Sequence, residues 1–343
     1  MKNQVVLVPA RAADADGIWE LLRDAVDETI GMTALPDSPQ STQELCDHSA
    51  KTLAQLATGS FQLADGEHRR LLFLAIDSVT RTPLGISGVT FKQSVPDLSV
   101  RVGTSPDGLG LVMRSSSEPW TRTELNSSFL GVDARGRRVG TLLSRGRLVF
   151  LNLIRSQIPT TISSHLRGRV DADGHAPFWD RFGSNFAPHW KTSIDAELGL
   201  IADPSQLKAL AGHTLPLTAP VLESLGPVNA ASLPAFHLLI SEGLEPNGRY
   251  DPIDGGPTLI ASIDQLTTKK THRHAPAQII TNEKARTEGR DALVSVTSVA
   301  EFRVTRCHAV IDDPAIGIAA EALTALGATE GTLLAASQLE RPA

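Results

Sequence analysis

A chain of 343 residues, 41% hydrophobic and 20% charged, has room for a sizeable core in two domains or in one large domain with an annex. Its formal net charge of −6 argues against nucleic acid or an anionic membrane as main partner, and no apolar stretch reaches membrane-spanning length. The two cysteines, Cys46 and Cys307, stand far apart and lack metal-ligand spacing, which suggests neither a disulfide framework nor a zinc site and fits a cytoplasmic protein.

Val5 to Val8 predicts a short strand, and Ile18, Leu21, Leu22, Ala25 and Val26 keep helical spacing behind Asp14 or Asp16 as cap. Ser41 to Leu56 predicts a second helix. Leu71 to Asp77 and Leu84 to Phe91 flank Thr80-Arg81-Thr82-Pro83 and predict a hairpin. The Ser-, Gly- and Pro-rich stretch from Gln93 to Arg122 reads as a long excursion around Arg101 or as an irregular surface loop. Leu125 to Leu130 predicts a strand, and Gly131 to Arg147 a basic, glycine-punctuated turn opening a helix. Thr160 to Val170 then reads as a strand and Pro177 to Phe182 as a short helix. Helical pieces at Ser205 to Ala211 and Ala231 to Glu242 precede the Gly255-Gly256-Pro257 turn. Lys269 to Ala277 reads as a polar linker into a small α+β or barrel-like C-terminal unit.

Strand, glycine turn and basic helix start together suit phosphate, because the first N–H groups of a helix have no intrahelical partner and sit at the positive end of its dipole. On its own the pattern equally fits a turn that Arg135, Arg137 and Arg138 merely solubilise. The Walker Lys-Ser/Thr ending and an opening Gly-x-Gly-x-x-Gly are both missing, which weighs against a nucleotide-binding protein of either kind.

Arg135-Gly136-Arg137-Arg138-Val139-Gly140 resembles the Gln/Arg-x-x-Gly-x-Gly/Ala pyrophosphate loop of GNAT-type N-acyltransferases, with Arg138 in place of the first glycine. Four further segments narrow the resemblance: Gly31-Met32-Thr33-Ala34-Leu35-Pro36, Arg101-Val102-Gly103-Thr104, Gly174-His175-Ala176-Pro177-Phe178-Trp179, and Tyr250-Asp251-Pro252-Ile253-Asp254-Gly255-Gly256-Pro257-Thr258-Leu259. In this order they resemble the arginine N-succinyltransferases over nearly the whole chain. The resemblance implies an α+β, GNAT-type fold: a mixed, mostly antiparallel sheet flanked by helices. It divides the chain into an acyl-CoA-binding domain over 1–190, a family-specific extension over 191–268 and a C-terminal α+β subdomain over 275–343. The implied reaction carries succinyl from succinyl-CoA, a cosubstrate and not a resident cofactor, to the α-amino group of arginine or ornithine, in a homo- or hetero-oligomer. Alternatives are an acyltransferase acting on another amine, or a non-catalytic subunit of a hetero-oligomeric succinyltransferase.

The same resemblance assigns the diphosphate and pantetheine to Ser128, Phe129, Leu130, Arg135, Arg138, Val139, Gly140 and Thr141. The family carries a proton-donating histidine in a Gly-x-Val-His segment, and Gly226-Pro227-Val228-Asn229 places Asn229 there. An amide hydrogen-bonds an oxyanion or a water but does not deliver a proton as imidazolium does. Two residues before Arg167-Gly168, where relatives tend to carry glutamate, stands His165, read either as an ordinary histidine or as a base for the attacking amine. Asp251 and Asp254 are either turn-makers or carboxylates for the basic substrate, and Arg101 is a candidate for the succinyl carboxylate. No histidine spacing reads as a metal site.

Overall fold

Val5–Pro9 forms strand β1, buried along most of its length because it lies inside a continuous sheet with helices on one face and a barrel beyond its edge. The computed structural model describes residues 4–23, 35–108, 110–171, 173, 175–185, 187–193, 195–197, 203, 205–312 and 314–339. Helices α1 (Ala15–Arg23) and α2 (Pro39–Thr58) cover one face. Ser38 caps α2, its Oγ accepting the Ser41 N–H at 3.1 Å, and Gly59 ends it at φ 72°. Ala25 and Val26 of the expected first helix, Gly31 to Ala34 and Gly174 lie outside the described residues.

β2 (His68–Asp77) and β3 (Pro83–Pro96) form the expected antiparallel hairpin. The stretch read as an excursion or irregular loop is ordered sheet. β4 (Ser99–Thr104) and β5 (Leu111–Ser116) pair as a hairpin, and β6 (Pro119–Leu130) begins six residues before the strand expected there. β7 (Thr161–His165) is shorter than expected, continued only by an isolated bridge between Gly168 and Val228. With β8 (Thr214–Pro216), β9 (Glu245–Tyr250) and β10 (Pro257–Ser262), the order is β1-β2-β3-β6-β7-β10-β9-β4-β5-β8.

β6 and β7 are parallel and pair only through Thr123–Ile162 and Glu124–Ser163; beyond Leu125 they part. A register shift in β3 and β6 opposite Ser87, with Ser127 at φ 49°, marks a bulge at the place of parting. Arg147, 3% exposed, pins it: Nη1 donates to the carbonyls of Gly88 at 2.8 Å and Asn126 at 3.1 Å. Burial lowers the guanidinium's pKa to about 10.

Helix α3 (Val139–Leu153) is buried nearly all round from Leu142 to Asn152, lying between the sheet, the Leu233–Ser241 helix and the C-terminal unit. Gly146 permits that approach, since a Cβ there would sit 2.7 Å from Leu7 and 3.1 Å from Val304. Lys269 to Ala277 is not a linker. A helical turn, Thr267–Lys270, leads directly into β11 (His272–Ile280), which closes a five-strand barrel with β12 (Arg290–Val296), β13 (Val304–Asp312), β14 (Ala315–Ala319) and β15 (Leu333–Gln338). Around the barrel the order is β13-β12-β15-β11-β14, returning to β13. β13 also pairs with β1 through Thr305–Val6 and Val304–Leu7, welding barrel to sheet.

Candidate active site

The chain leaves β6 through a short helical turn, Val132–Ala134, and reaches α3 through two left-handed residues, Gly136 at φ 72° and Arg138 at φ 63°. No side chain caps α3, and its first turn holds no acidic residue. A helix start of that kind keeps both its free N–H groups and its positive dipole end available to an anion. Arg135, Gly136, Arg137 and Arg138 are exposed, Gly140 and Thr141 half-buried, and Val139 buried. Arg138 occupies the position where the pyrophosphate loop has glycine, and its guanidinium reaches toward the barrel, 3.7 Å from Asp291. A cavity of about 430 Å³ lies between this turn and the barrel, lined among others by Arg137, Arg138, Asp291, Arg306 and His308. Ser128 is exposed beside the parted strands, Leu130 is half-buried, and Phe129 turns its ring into the core under α1.

Along the polar face of the sheet five charged side chains interlock. Glu124 lies 2.7 Å from Lys92, 3.3 Å from Arg122 and 3.4 Å from His165; Asp97 lies 3.5 Å from Arg122 and 3.4 Å from His165. The other imidazole nitrogen of His165 meets Thr258 Oγ1 at 3.1 Å. Burial alone would lower the pKa of His165, but Asp97 and Glu124 outweigh it and raise it above the ordinary histidine value. Burial pushes Glu124 the opposite way, and His165, Lys92 and Arg122 hold it well below the usual carboxylate range. A histidine kept protonated has no lone pair for a substrate ammonium, so these surroundings oppose the base role read from the sequence. Nothing in the sequence but polar alternation through Arg122, Glu124 and Asn126 signals the carboxylate that governs it.

A second charged group stands where β7 runs on. Arg167 lies 3.4 Å from Asp254 and 3.5 Å from Glu197. Burial and Asp251 raise Asp254 to about 7, while burial raises Glu197 to about 8 against the pull of Arg167. Asp251 Oδ1 accepts the N–H groups of Ile253 at 2.7 Å and Asp254 at 3.1 Å, and Asp254 Oδ1 accepts that of Gly256 at 2.8 Å. The turn packs main chain on main chain: a Cβ on Gly256 would lie 2.0 Å from the Leu166 carbonyl oxygen, and one on Gly168 2.0 Å from that of Asp254. Asn229 sits alongside, its N–H donating to the Arg167 carbonyl at 2.9 Å and its Oδ1 accepting from Ala231 at 2.9 Å. The side chain thus caps the turn Ala230–Ser232.

His165 on β7 therefore has Asn229 and the Asp251–Asp254 turn beside the strand's continuation, near where β6 and β7 part. Arg101 lies on β4, exposed, two strands beyond β10. Asp171, Asp173 and His175 bring potential metal-ligand atoms within 4.8 Å of one another, which histidine spacing did not signal. Asp171 Oδ1 there accepts the N–H groups of Asp173 at 3.0 Å and His175 at 2.8 Å, as in an ordinary turn.

A family model described as the arginine N-succinyltransferase beta subunit matches residues 111–268, and one for that subunit's C-terminal domain matches 273–336. Arginine N-succinyltransferase subunit alpha of Pseudomonas aeruginosa is 28% identical over 348 residues, spanning 95% of this chain and 97% of its own. Arginine N-succinyltransferase of Photorhabdus laumondii is 26% identical over 342 residues, spanning 94% of each chain. The solved structure of arginine/ornithine succinyltransferase subunit AI from Pseudomonas aeruginosa superposes with a TM-score of 0.81 at 24% identity, covering 99% of this chain and all of that one, so the α+β fold is shared end to end. With two models of one protein matched in chain order across the sheet from β5 onward and the barrel, the chain belongs to the arginine N-succinyltransferase family.

Proposed function

We propose that the protein transfers the succinyl group of succinyl-CoA to the α-amino group of arginine or ornithine, the first step of arginine degradation by succinylation. The observation that carries this reading is the uncapped, acid-free start of α3, set at the end of the strand that parts from β7. The amides of Val139, Gly140 and Thr141 take the diphosphate, Arg135 and Arg138 add cations, and the cavity against the barrel takes the nucleotide end. The pantetheine arm runs along Ser128, Phe129 and Leu130, where β6 main-chain groups freed by the parting face the thioester carbonyl.

The acceptor ammonium loses its proton to solvent before attack. His165, as imidazolium, delivers a proton to the leaving thiolate, the role that an amide at Asn229 cannot fill. Asp254 and Glu197, whose pKa values burial raises, ionise when the cationic side chain of the acceptor joins Arg167 beside them, and Asp251 holds the turn that places Asp254. Relatives named as subunits support an oligomer, homo- or hetero-; light scattering on the purified protein tests it.

The capping role of Asn229 favours one alternative, a subunit that binds acyl-CoA without turning it over. Thiol release from succinyl-CoA, measured against arginine, ornithine and a panel of other amines, separates the two. Turnover with a basic amino acid, raised by Asn229→His, supports the enzyme. No turnover in either protein with any acyl-CoA leaves the non-catalytic subunit.

A further inference from the structure

Three neighbouring strands at the edge of the site carry arginine at one register position. β5 and β4 pair Arg114 with Arg101, and the Val100–Tyr250 pair between β4 and β9 sets Arg101 opposite Arg249. Opposite residues of antiparallel strands share a face about 5 Å apart, so like charges there repel. Solvent screens the exposed Arg101 and Arg114, but Arg249 is only 7% exposed, its guanidinium 4.9 Å from the centre of the Trp120 ring. Its Nη1 is sealed from solvent and meets no hydrogen-bond partner among the described residues. Ser99 and Ser116, paired on the same face one turn of the pleat away, have Oγ atoms buried and unpartnered in the same way.

A buried donor without an acceptor destabilises the fold unless a ligand supplies one, and here one cationic donor and two hydroxyls stand together. The acidic neighbours are Asp97 and Glu118. Asp97 is engaged by Trp120 Nε1 at 3.3 Å, by Arg122 and by His165, and Glu118 is exposed. The array adjoins the reaction centre, because Arg122 lies over the same Trp120 ring at 4.3 Å and pairs with Glu124.

We propose that Arg249, with Arg101 and the hydroxyls of Ser99 and Ser116, is a carboxylate-binding subsite for the substrates of the acyl transfer. The inference rests on the acyltransferase reading. Two carboxylates qualify, the distal one of a dicarboxylic acyl group and that of an amino-acid acceptor, and guanidinium recognises both in the same way.

Thermal shift with succinate, butyramide, arginine and agmatine, on wild type, Arg249→Met and Arg249→Lys, is the test. The expected result is a rise of about 2–4 °C in wild type with succinate or with arginine, absent for the carboxylate-free analogue of each, lost in Arg249→Met and partly kept in Arg249→Lys. In the thiol-release assay, a 10- to 100-fold collapse of the succinyl-CoA over butyryl-CoA preference in Arg249→Met, roughly the worth of a charged hydrogen bond, assigns the acyl carboxylate. The same collapse of arginine over agmatine assigns the acceptor. A shift that survives in Arg249→Met, no shift in wild type with either carboxylate, or an equal loss on all substrates overturns the subsite. CoA must still protect Arg249→Met, which shows that it folds. Failure of CoA to protect wild type is a separate result, and sinks the acyltransferase reading itself.

Discussion

His165 shows how neighbours decide what a residue can do. As a lone histidine two positions before Arg167-Gly168 it fits a base; between Asp97 and Glu124 its pKa is raised, which suits the donor role proposed for it. A donor works only while protonated, so turnover should fall as pH rises through its raised pKa, and that descending limb should vanish in a slower His165→Gln variant. Rates measured from pH 6 to 9 check this. Arg147 is the opposite case, a cation with a purely local task. Arg147→Met leaves the carbonyls of Gly88 and Asn126 without their donor and should cost about 1–3 kcal/mol, read as a lower urea midpoint. Neither Arg147 nor Glu124 stands out in the sequence, because each acts through contacts dozens of residues away.

At the scale of elements, α3 is where sequence and structure agree most closely. The glycine turn and the basic residues opening a helix were legible, because a helix and its first turn are local. Sheet pairing is not. Gln93 to Arg122 looks loop-like since hydrogen-bonded strands can carry serine and glycine when their neighbours supply the partners, as β3, β5 and β9 do. Lys269 to Ala277 looks like a linker because the outer face of a closed barrel is solvated, and His272, Arg273 and His274 meet β15 through main chain. The α3 start makes a prediction of two signs. In Thr141→Glu a carboxylate in the first turn complements the helix dipole, so stability should hold or rise slightly, while CoA protection should disappear through repulsion of the diphosphate.

The whole molecule carries a surplus of buried acid around Arg167, and that sets its response to pH. Glu197 is raised from 4.5 to about 8 and Asp254 from 3.8 to about 7. The unfolded chain therefore gives up these protons first, and stability declines as pH rises from about 4 to about 8, then levels. Glu197→Gln should melt about 2–4 °C above wild type at pH 8 and together with it near pH 4.5. The barrel belongs to this scale too, since β13 completes the edge at β1 and lines the cavity beside the phosphate turn.

Calorimetric titration with CoA bears most directly on the central claim, that the bare amides at the start of α3 hold the diphosphate of an acyl-CoA. One CoA per chain should bind wild type, and Thr141→Glu should bind none while keeping its fold. No heat with wild type, or equal affinity in both proteins, would contradict it.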